Sequence, residues 1–393
     1  MLIFGNSQVK SMVKGLERKP VVERDVIMGP SSRSRGSNGR LLRCGAVSSV
    51  VILVVLIIGA LLIGPIADNP SSHDVSDPTT TPKISFTSHA PISIPNNSSF
   101  TSANGVVRGN GTANDPYVIE GWEINAAGIS DNAIAINAAI AYFEVRNCRL
   151  YGANMSDISI RGSRNGALSN NSCTGSPDGI YLWNSKYCTI VGNNCENNSV
   201  SGIYLSGSSN VTIADNYFAN NDNGIYLASS RDNILSNNTC RSNSLGMLIA
   251  NSDWNGIDLN NLSGNSDVGI KINPGSDRSR IWNNTFYHNN GTGNTYDPLN
   301  SQAFDANNDN YWNTSGLSYN YGNYWRDMTS PDSSEPFGIV DIPYEIAGGK
   351  SVKDYYPLTN KPIPPIIPEP PIFILALLLT MIFVISRRKA GKK

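Results

Sequence analysis

The stretch DGIYLWNSKYCTIVGNNCENNSVSGIYL, Asp178 to Leu205, carries Gly-Ile-Tyr-Leu near its start and again at its end, and the tetrad returns at Gly224 to Leu227. The repetition reaches further than the tetrad. Gly179, Gly202, Gly224, Gly246 and Gly269 follow one another at steps of 23, 22, 22 and 23 residues. Directly after each glycine stand Ile180, Ile203, Ile225, Met247 and Ile270, and two positions later Leu182, Leu205, Leu227, Ile249 and Ile272. Apolar residues at alternate positions describe a strand with one buried face. In that strand glycine reads as a turn marker, and Ile and Leu as core.

Two further apolar columns complete the unit. Ile190, Ile213, Leu235, Ile257 and Ile281 form one, and Cys195, Phe218, Cys240, Leu262 and Phe286 the other; Val145 with Leu150 and Leu168 with Cys173 extend both upstream. Between them runs a polar column of Cys148, Asn171, Asn193, Asn216, Asn238, Asn260 and Asn284. Asparagine tolerates left-handed backbone angles and bonds its own backbone, so it suits a tight corner. Stacked corners of this kind build an amide ladder. A unit of ~22 residues with two or three short strands cannot bury its face alone, but coils stacked at ~4.8 Å enclose a continuous core. The expected fold is all-β, a right-handed parallel β-helix (solenoid) of about seven to nine coils. A leucine-rich repeat would add a helix to each unit, and a β-propeller would need units nearly twice as long.

The stretch Gly109 to Ile124 (GNGTANDPYVIEGWEI), the Gly-Ile-Tyr-Leu coils, and the later GNYWRD (Gly322 to Asp327), DIPY (Asp341 to Tyr344) and DYYPL (Asp354 to Leu358) together resemble the NosD-like family. The resemblance covers residues 104–358 and implies a secreted right-handed β-helix. It also implies a carbohydrate-binding or sugar-hydrolysis-like role, with a copper-binding periplasmic namesake. The acidic, glycine-rich turn that relatives carry ahead of the DIPY motif is replaced here by SPDSSEPFGIV from Ser330, with too few oxygen ligands for calcium. The Trp- and Tyr-rich segment from Tyr311 to Trp325 reads as a cap over the last apolar layer.

The two ends of the chain differ from its middle. Residues 1–45 hold nine Lys or Arg against three acids, residues 387–393 hold five bases and no acid, and the region between nets −12 from 16 bases and 28 acids. So acidic a middle excludes nucleic acid as a partner. Residues 46–66 are long and apolar enough to span a bilayer, and residues 371–386 span with little tilt. The solenoid is thus expected between an N-terminal and a C-terminal transmembrane helix. Both basic clusters lie on the outer flanks, which places the termini in the cytoplasm and the middle outside the cell membrane. A cleaved signal peptide is the alternative for the first segment. The resulting organisation is a basic tail (1–45), a membrane segment (46–66), a Ser/Thr/Pro-rich stalk (67–103), β-helix repeats (104–295), an aromatic cap (296–358), a proline-rich spacer (359–370), a second apolar helix (371–386) and a basic tail (387–393). Pro368, Glu369 and Pro370, followed by that helix and Arg387-Arg388-Lys389, resemble a PEP-type sorting signal read by exosortases or archaeosortases. This implies a sortase-like processing enzyme as a partner, with a permanent membrane anchor as the alternative.

Function is carried by fewer residues. In each tetrad the tyrosine points away from the core, so Tyr181, Tyr204 and Tyr226, with Trp183 beside them, form an outward aromatic strip. Such a strip suits a surface polysaccharide or other glycan, and in-register tyrosines equally support strand stacking. Asp178, Asp215, Asp222, Asp258 and Asp267 are the carboxylates a hydrolase or lyase would draw on, but no two share one outward column on adjacent coils. Three histidines, His73, His89 and His288, form no paired copper site. Cys173 and Cys195 fall on adjacent coils, where either a disulfide or two buried thiols fits. Twelve Asn-x-Ser/Thr sites make glycosylation available to an exported chain. The expectation is a structural or glycan-binding surface protein with no cofactor, ahead of a polysaccharide-processing enzyme or a copper-handling protein.

Overall fold

Each 22- or 23-residue repeat makes one turn of chain through three strands, for example Thr189–Val191, Asn194–Glu196 and Ser201–Ser206. The computed structural model describes residues 85–362 apart from 294, 296–299, 308, 315–320, 329–331, 334–338 and 349–351. Among these residues the turns stack into sheets of ten, nine and ten strands, with eight turns complete, all paired in parallel except the edge strand Val106–Arg108, which runs antiparallel to Tyr117–Glu120. The winding has the right-handed sense of parallel crossovers. Ile158, Ile180, Ile203, Ile225, Met247 and Ile270 lie in direct register. These residues and the other two apolar columns are almost fully buried, so three inward faces share one continuous core.

The recurring glycine has a different role from the turn marker expected. Gly179, Gly202, Gly224 and Gly246 lie inside strands and take no left-handed angle. A Cβ on Gly202 would stand 2.7 Å from the carbonyl oxygen of Gly224 and 2.6 Å from the Phe218 ring. Close approach of the next coil therefore dictates glycine. One coil earlier the position belongs to Asp157, which is in line with Gly179 because Ile158 pairs with Ile180. There the neighbouring corner holds the shorter Ser176, whose hydroxyl donates to Asp157 Oδ1 at 2.6 Å.

Asn171, Asn193, Asn216, Asn238, Asn260 and Asn284 stand one above another. Each Nδ2 donates to the next Oδ1 at 2.9–3.0 Å, and the column ends on Asn323. A second ladder runs from Asn198 through Asn221, Asn243, Asn265 and Asn289 to Gln302. The third corner uses serine: the backbone N–H groups of Ser163, Ser185, Ser208, Ser230 and Ser252 each donate to the hydroxyl of the next serine. All three corners thus satisfy buried backbone groups that a turn would otherwise leave orphaned.

The solenoid begins earlier than composition indicates. Thr87–Ser88 and Ile92–Ile94, within the segment read as stalk, pair with Trp122–Asn125 and Asn132–Asn137. Ile92, Ile94 and Phe100 are buried, and Phe100 stacks on Tyr117 at 4.6 Å, closing this end. At the other end Phe286, Trp325 and Tyr344 stack in sequence, with ring centroids 4.1 and 3.9 Å apart. The resemblance motifs supply the ties across this cap. Trp325 Nε1 donates to Asp354 Oδ2 at 2.9 Å, the Asn323 backbone N–H donates to the same oxygen at 2.7 Å, and Tyr344 Oη donates to Asp327 Oδ2 at 3.1 Å. Burial pushes the Asp354 carboxyl up to about 6. Among the described residues no helix is long and apolar enough to cross a membrane. The two expected spans and Pro368–Pro370 lie outside the described residues.

Candidate functional site

The long strands bring Tyr181, Tyr204 and Tyr226 into register on one outward face, continued by Leu248, Lys271 and Phe304. Coil spacing of ~4.8 Å is close to the separation at which flat rings stack. Accordingly, Tyr204 lies 4.6 Å from Tyr226 with planes 6° apart, and 5.1 Å from Tyr181 at 39°. The remaining face of Tyr181 is covered by Arg161, whose guanidinium carbon is 5.2 Å from the ring. Tyr204 therefore has a ring on each side and Tyr181 lies between Tyr204 and Arg161, while Tyr226 has one face against Tyr204; all three rings are half-buried. Burial and the adjacent Tyr204 raise the Tyr181 and Tyr226 hydroxyl pKa values. Trp183, 45% exposed, sits beside the strip in register with Arg161 and Ser206.

The candidate carboxylates stay apart. Asp178 lies in register with Ser156 and Ser201, and burial raises it to about 6. Asp215 occupies a corner at φ 58° and accepts from Asn237 Nδ2. Asp258 is on a strand in register with Ser236 and Trp282, Asp267 pairs with Lys271 at 3.5 Å, and Asp222 is exposed at a turn. Asp157, which sequence reasoning passed over, is the most perturbed of the acids in the coils: burial raises it to about 7, and Oδ2 has no hydrogen-bond partner among the described residues. Its signal was the interruption of the glycine column.

The described residues offer copper no clustered ligands, and His73 lies outside them. His89 packs on Trp122 and His288 on Tyr287, at opposite ends of the solenoid. Cys148, Cys173, Cys188, Cys195 and Cys240 are free thiols buried in the core. Among the described residues no three His, Cys, Asp or Glu side chains gather to hold a metal ion.

A cleft of about 500 Å³ opens at the corner between the long-strand sheet and the sheet containing Gly256–Asp258 and Arg280–Trp282. Trp254, Trp282 and Tyr311 supply its aromatic lining, Arg278 and Arg280 its cations, and Asp309 its carboxylate. The Arg278 guanidinium carbon is 5.2 Å from the Trp254 ring centroid, and that of Arg280 is 5.7 Å from Tyr311. Each guanidinium takes one face of its ring while its N–H edges stay able to donate, and Trp254 remains 54% exposed. Gly256 forms the floor. The same outward position holds Thr189, Thr212 and Ile234 on preceding coils and Arg280 on the next. A Cβ on Gly256 would meet nothing closer than 3.8 Å, so this glycine provides room rather than relieving a clash. Trp254 takes φ 58°, and the following Asn255 pins that corner by accepting from Asn233 N and Nδ2, both at 3.1 Å. Each exception to the repeat that builds the cleft occurs on one coil, so periodicity did not reveal it.

No curated protein matches the sequence. Among solved structures the chain is similar to an alginate lyase from Paenibacillus sp. str. FPU-7, at 16% identity and TM-score 0.39, covering 50% of this chain and 76% of that one. It is similar to a mutant of the periplasmic alginate epimerase AlgG at 20% identity and TM-score 0.40, covering 46% of this chain and 48% of the epimerase. The A-module of the Azotobacter vinelandii mannuronan C-5 epimerase AlgE6 is similar at 14% identity and TM-score 0.36, covering 63% of this chain and 74% of the module. Likeness at this level assigns no activity to the present chain. Residues 125–330, just over half of the 393 present, match the model of the family described as periplasmic copper-binding protein (NosD), and the chain belongs to that family.

Proposed function

We propose that this is a carbohydrate-binding solenoid presented on the outer side of a membrane, and that the cleft at Trp254 takes the sugar. The observation that carries the reading is the lining: three aromatic side chains, two guanidinium groups and one carboxylate around a floor that Gly256 keeps open. Aromatic faces accept the apolar face of a pyranose, and directional donors and acceptors select its hydroxyls. Hydrolysis of a glycosidic bond calls for two opposed carboxylates. Asp309 is the single carboxylate lining the cleft among the described residues, which favours binding over cleavage. The apolar segments at 46–66 and 371–386 and the acidic middle region are the grounds for the surface location, with Pro368–Pro370 as the place where a sortase-like enzyme would act.

A glycan array probed with the intact chain tests the site. Gly256→Ile places in the cleft the residue that the preceding coil already carries, so binding should be lost while the fold is kept. Tyr204→Ala with Tyr226→Ala should leave binding in place. Equal binding by wild type and Gly256→Ile would sink the assignment.

A further inference from the structure

Trp254 belongs to a line of corner residues. Successive coils place Asn165, Tyr187, Asn210, Asp232, Trp254 and Arg278 at one position, as shown by the bridges Arg164–Lys186, Lys186–Ser209 and Ser209–Arg231 and by backbone bonds from Asp232 to Asp253 and from Trp254 to Asp277. All six hold φ between 54° and 62°. Asparagine and aspartate adopt this left-handed geometry readily, whereas a bulky residue there costs roughly 1–2 kcal/mol. Other coils hold Asn165, Asn210 and Asp232 at the same place, so the corner does not require Tyr187, Trp254 or Arg278. Strain kept where the fold has a cheaper solution points to function.

Tyr187 is 60% exposed and borders a second recess of about 260 Å³, together with Arg164 and Lys186. Two stations thus lie on one line, each with an exposed ring and two cations. Among the described residues, Arg164, Lys186, Arg278 and Arg280 have no carboxylate within ion-pair distance, whereas Arg231 between them lies 3.6 Å from Asp232. Three coil steps, ~14 Å at ~4.8 Å each, separate Tyr187 from Trp254. Asp309 at the second station remains an acceptor for hydroxyls.

From this arrangement we infer that the ligand is an acidic polysaccharide lying along the corner, parallel to the solenoid axis. Its rings stack at Tyr187 and Trp254, and its carboxylates meet Arg164 and Lys186 at one station and Arg278 and Arg280 at the other. The inference rests on the reading of the Trp254 cleft as a carbohydrate site and adds charge, length and direction to it. Guanidinium groups grip carboxylates through two parallel hydrogen bonds. The net −12 between the terminal basic clusters disfavours an acidic polymer elsewhere on the surface, and Asp232, between the two stations, is offset by Arg231 at 3.6 Å.

The test titrates the intact chain with oligogalacturonates from dimer to hexamer and with malto-oligosaccharides of equal length. The hexamer should bind roughly tenfold or more tighter than the dimer, because the second station is engaged intramolecularly. Binding should weaken with added salt, and the neutral series should bind far less. Tyr187→Asn should abolish the gain with length and leave the dimer unaffected, and Trp254→Asn should remove binding of both. Both variants install the residue the corner prefers, so their urea midpoints should equal or exceed wild type. Absence of a length gain, a gain that survives Tyr187→Asn, or equal binding of the neutral series would each overturn the inference. In those cases, loss of sugar binding in Trp254→Asn would still leave the cleft reading standing. Galacturonate binding unchanged by both Trp254→Asn and Gly256→Ile would overturn that reading and the inference with it.

Discussion

Asn216 shows what a ladder residue contributes. Its Oδ1 accepts from Asn193 N at 2.9 Å and from Asn193 Nδ2 at 3.0 Å, while its own Nδ2 donates to Ile190 O, Ala214 O and Asn238 Oδ1 at 2.8–3.0 Å. Asn216→Ala removes all five bonds and leaves the buried Asn193 N–H without an acceptor. An orphaned buried N–H costs about 1–3 kcal/mol, and each lost bond between paired groups about 1 kcal/mol. The amide of Asn193 keeps bonds to Leu168 O and Val191 O, so the loss there is partial. A destabilisation of roughly 3–5 kcal/mol follows. The control is Asn197→Ala, at an exposed corner with φ 58°, where only the left-handed preference of asparagine is lost, at about 1–2 kcal/mol. Urea unfolding followed by far-ultraviolet circular dichroism compares the two. If Asn216→Ala costs no more than Asn197→Ala, the ladder does not hold the corner and the reasoning fails.

Gly224→Ala should destabilise by about 1–3 kcal/mol or more, because its Cβ would stand 2.6 Å from the carbonyl oxygen of Gly246. Gly264→Ala, where nothing lies within 4 Å, should lose only the backbone preference of glycine at positive φ; matched urea midpoints for the pair would refute the close-approach argument. Asp157 predicts a pH dependence. Its pKa in the folded chain, about 7, lies above its ordinary value of 3.8, so the folded state holds the proton more tightly and stability is lost as pH rises from about 4 to about 7. Asp178 and Asp354, raised to about 6, act in the same direction. Thermal melts at pH 5 and pH 8 should show Asp157→Asn gaining on wild type at the higher pH; a constant difference between the two proteins would contradict this.

The apolar columns were legible in the sequence because a residue's place in a coil depends only on spacing, and every coil repeats it. Asn171 to Asn284 were legible for the same reason. The ladder from Asn198 to Asn289 has equal periodicity and was within reach of the same argument. The role of Gly202 was not, since it is set by the carbonyl of Gly224 one coil away, a distance that spacing does not encode. The outward direction of Tyr204 followed from strand alternation, but the stacking that consumes its faces depends on ring orientation across coils. Trp254, Gly256 and Arg280 escaped notice because a site made of departures from a repeat looks like noise to any reading that searches for the repeat.

The self-matching of glycine and amide corners makes a single coil a unit of exchange. The surface that the coil beginning at Gly202 presents to the next is nearly the one that the coil beginning at Gly224 presents to its own successor. Loss or duplication of 22 residues between such coils would leave every interface matched, and would move the corner at Tyr187 toward or away from the corner at Trp254 by ~4.8 Å. Lineages could in this way retune the reach of the surface by whole coils without redesigning the protein.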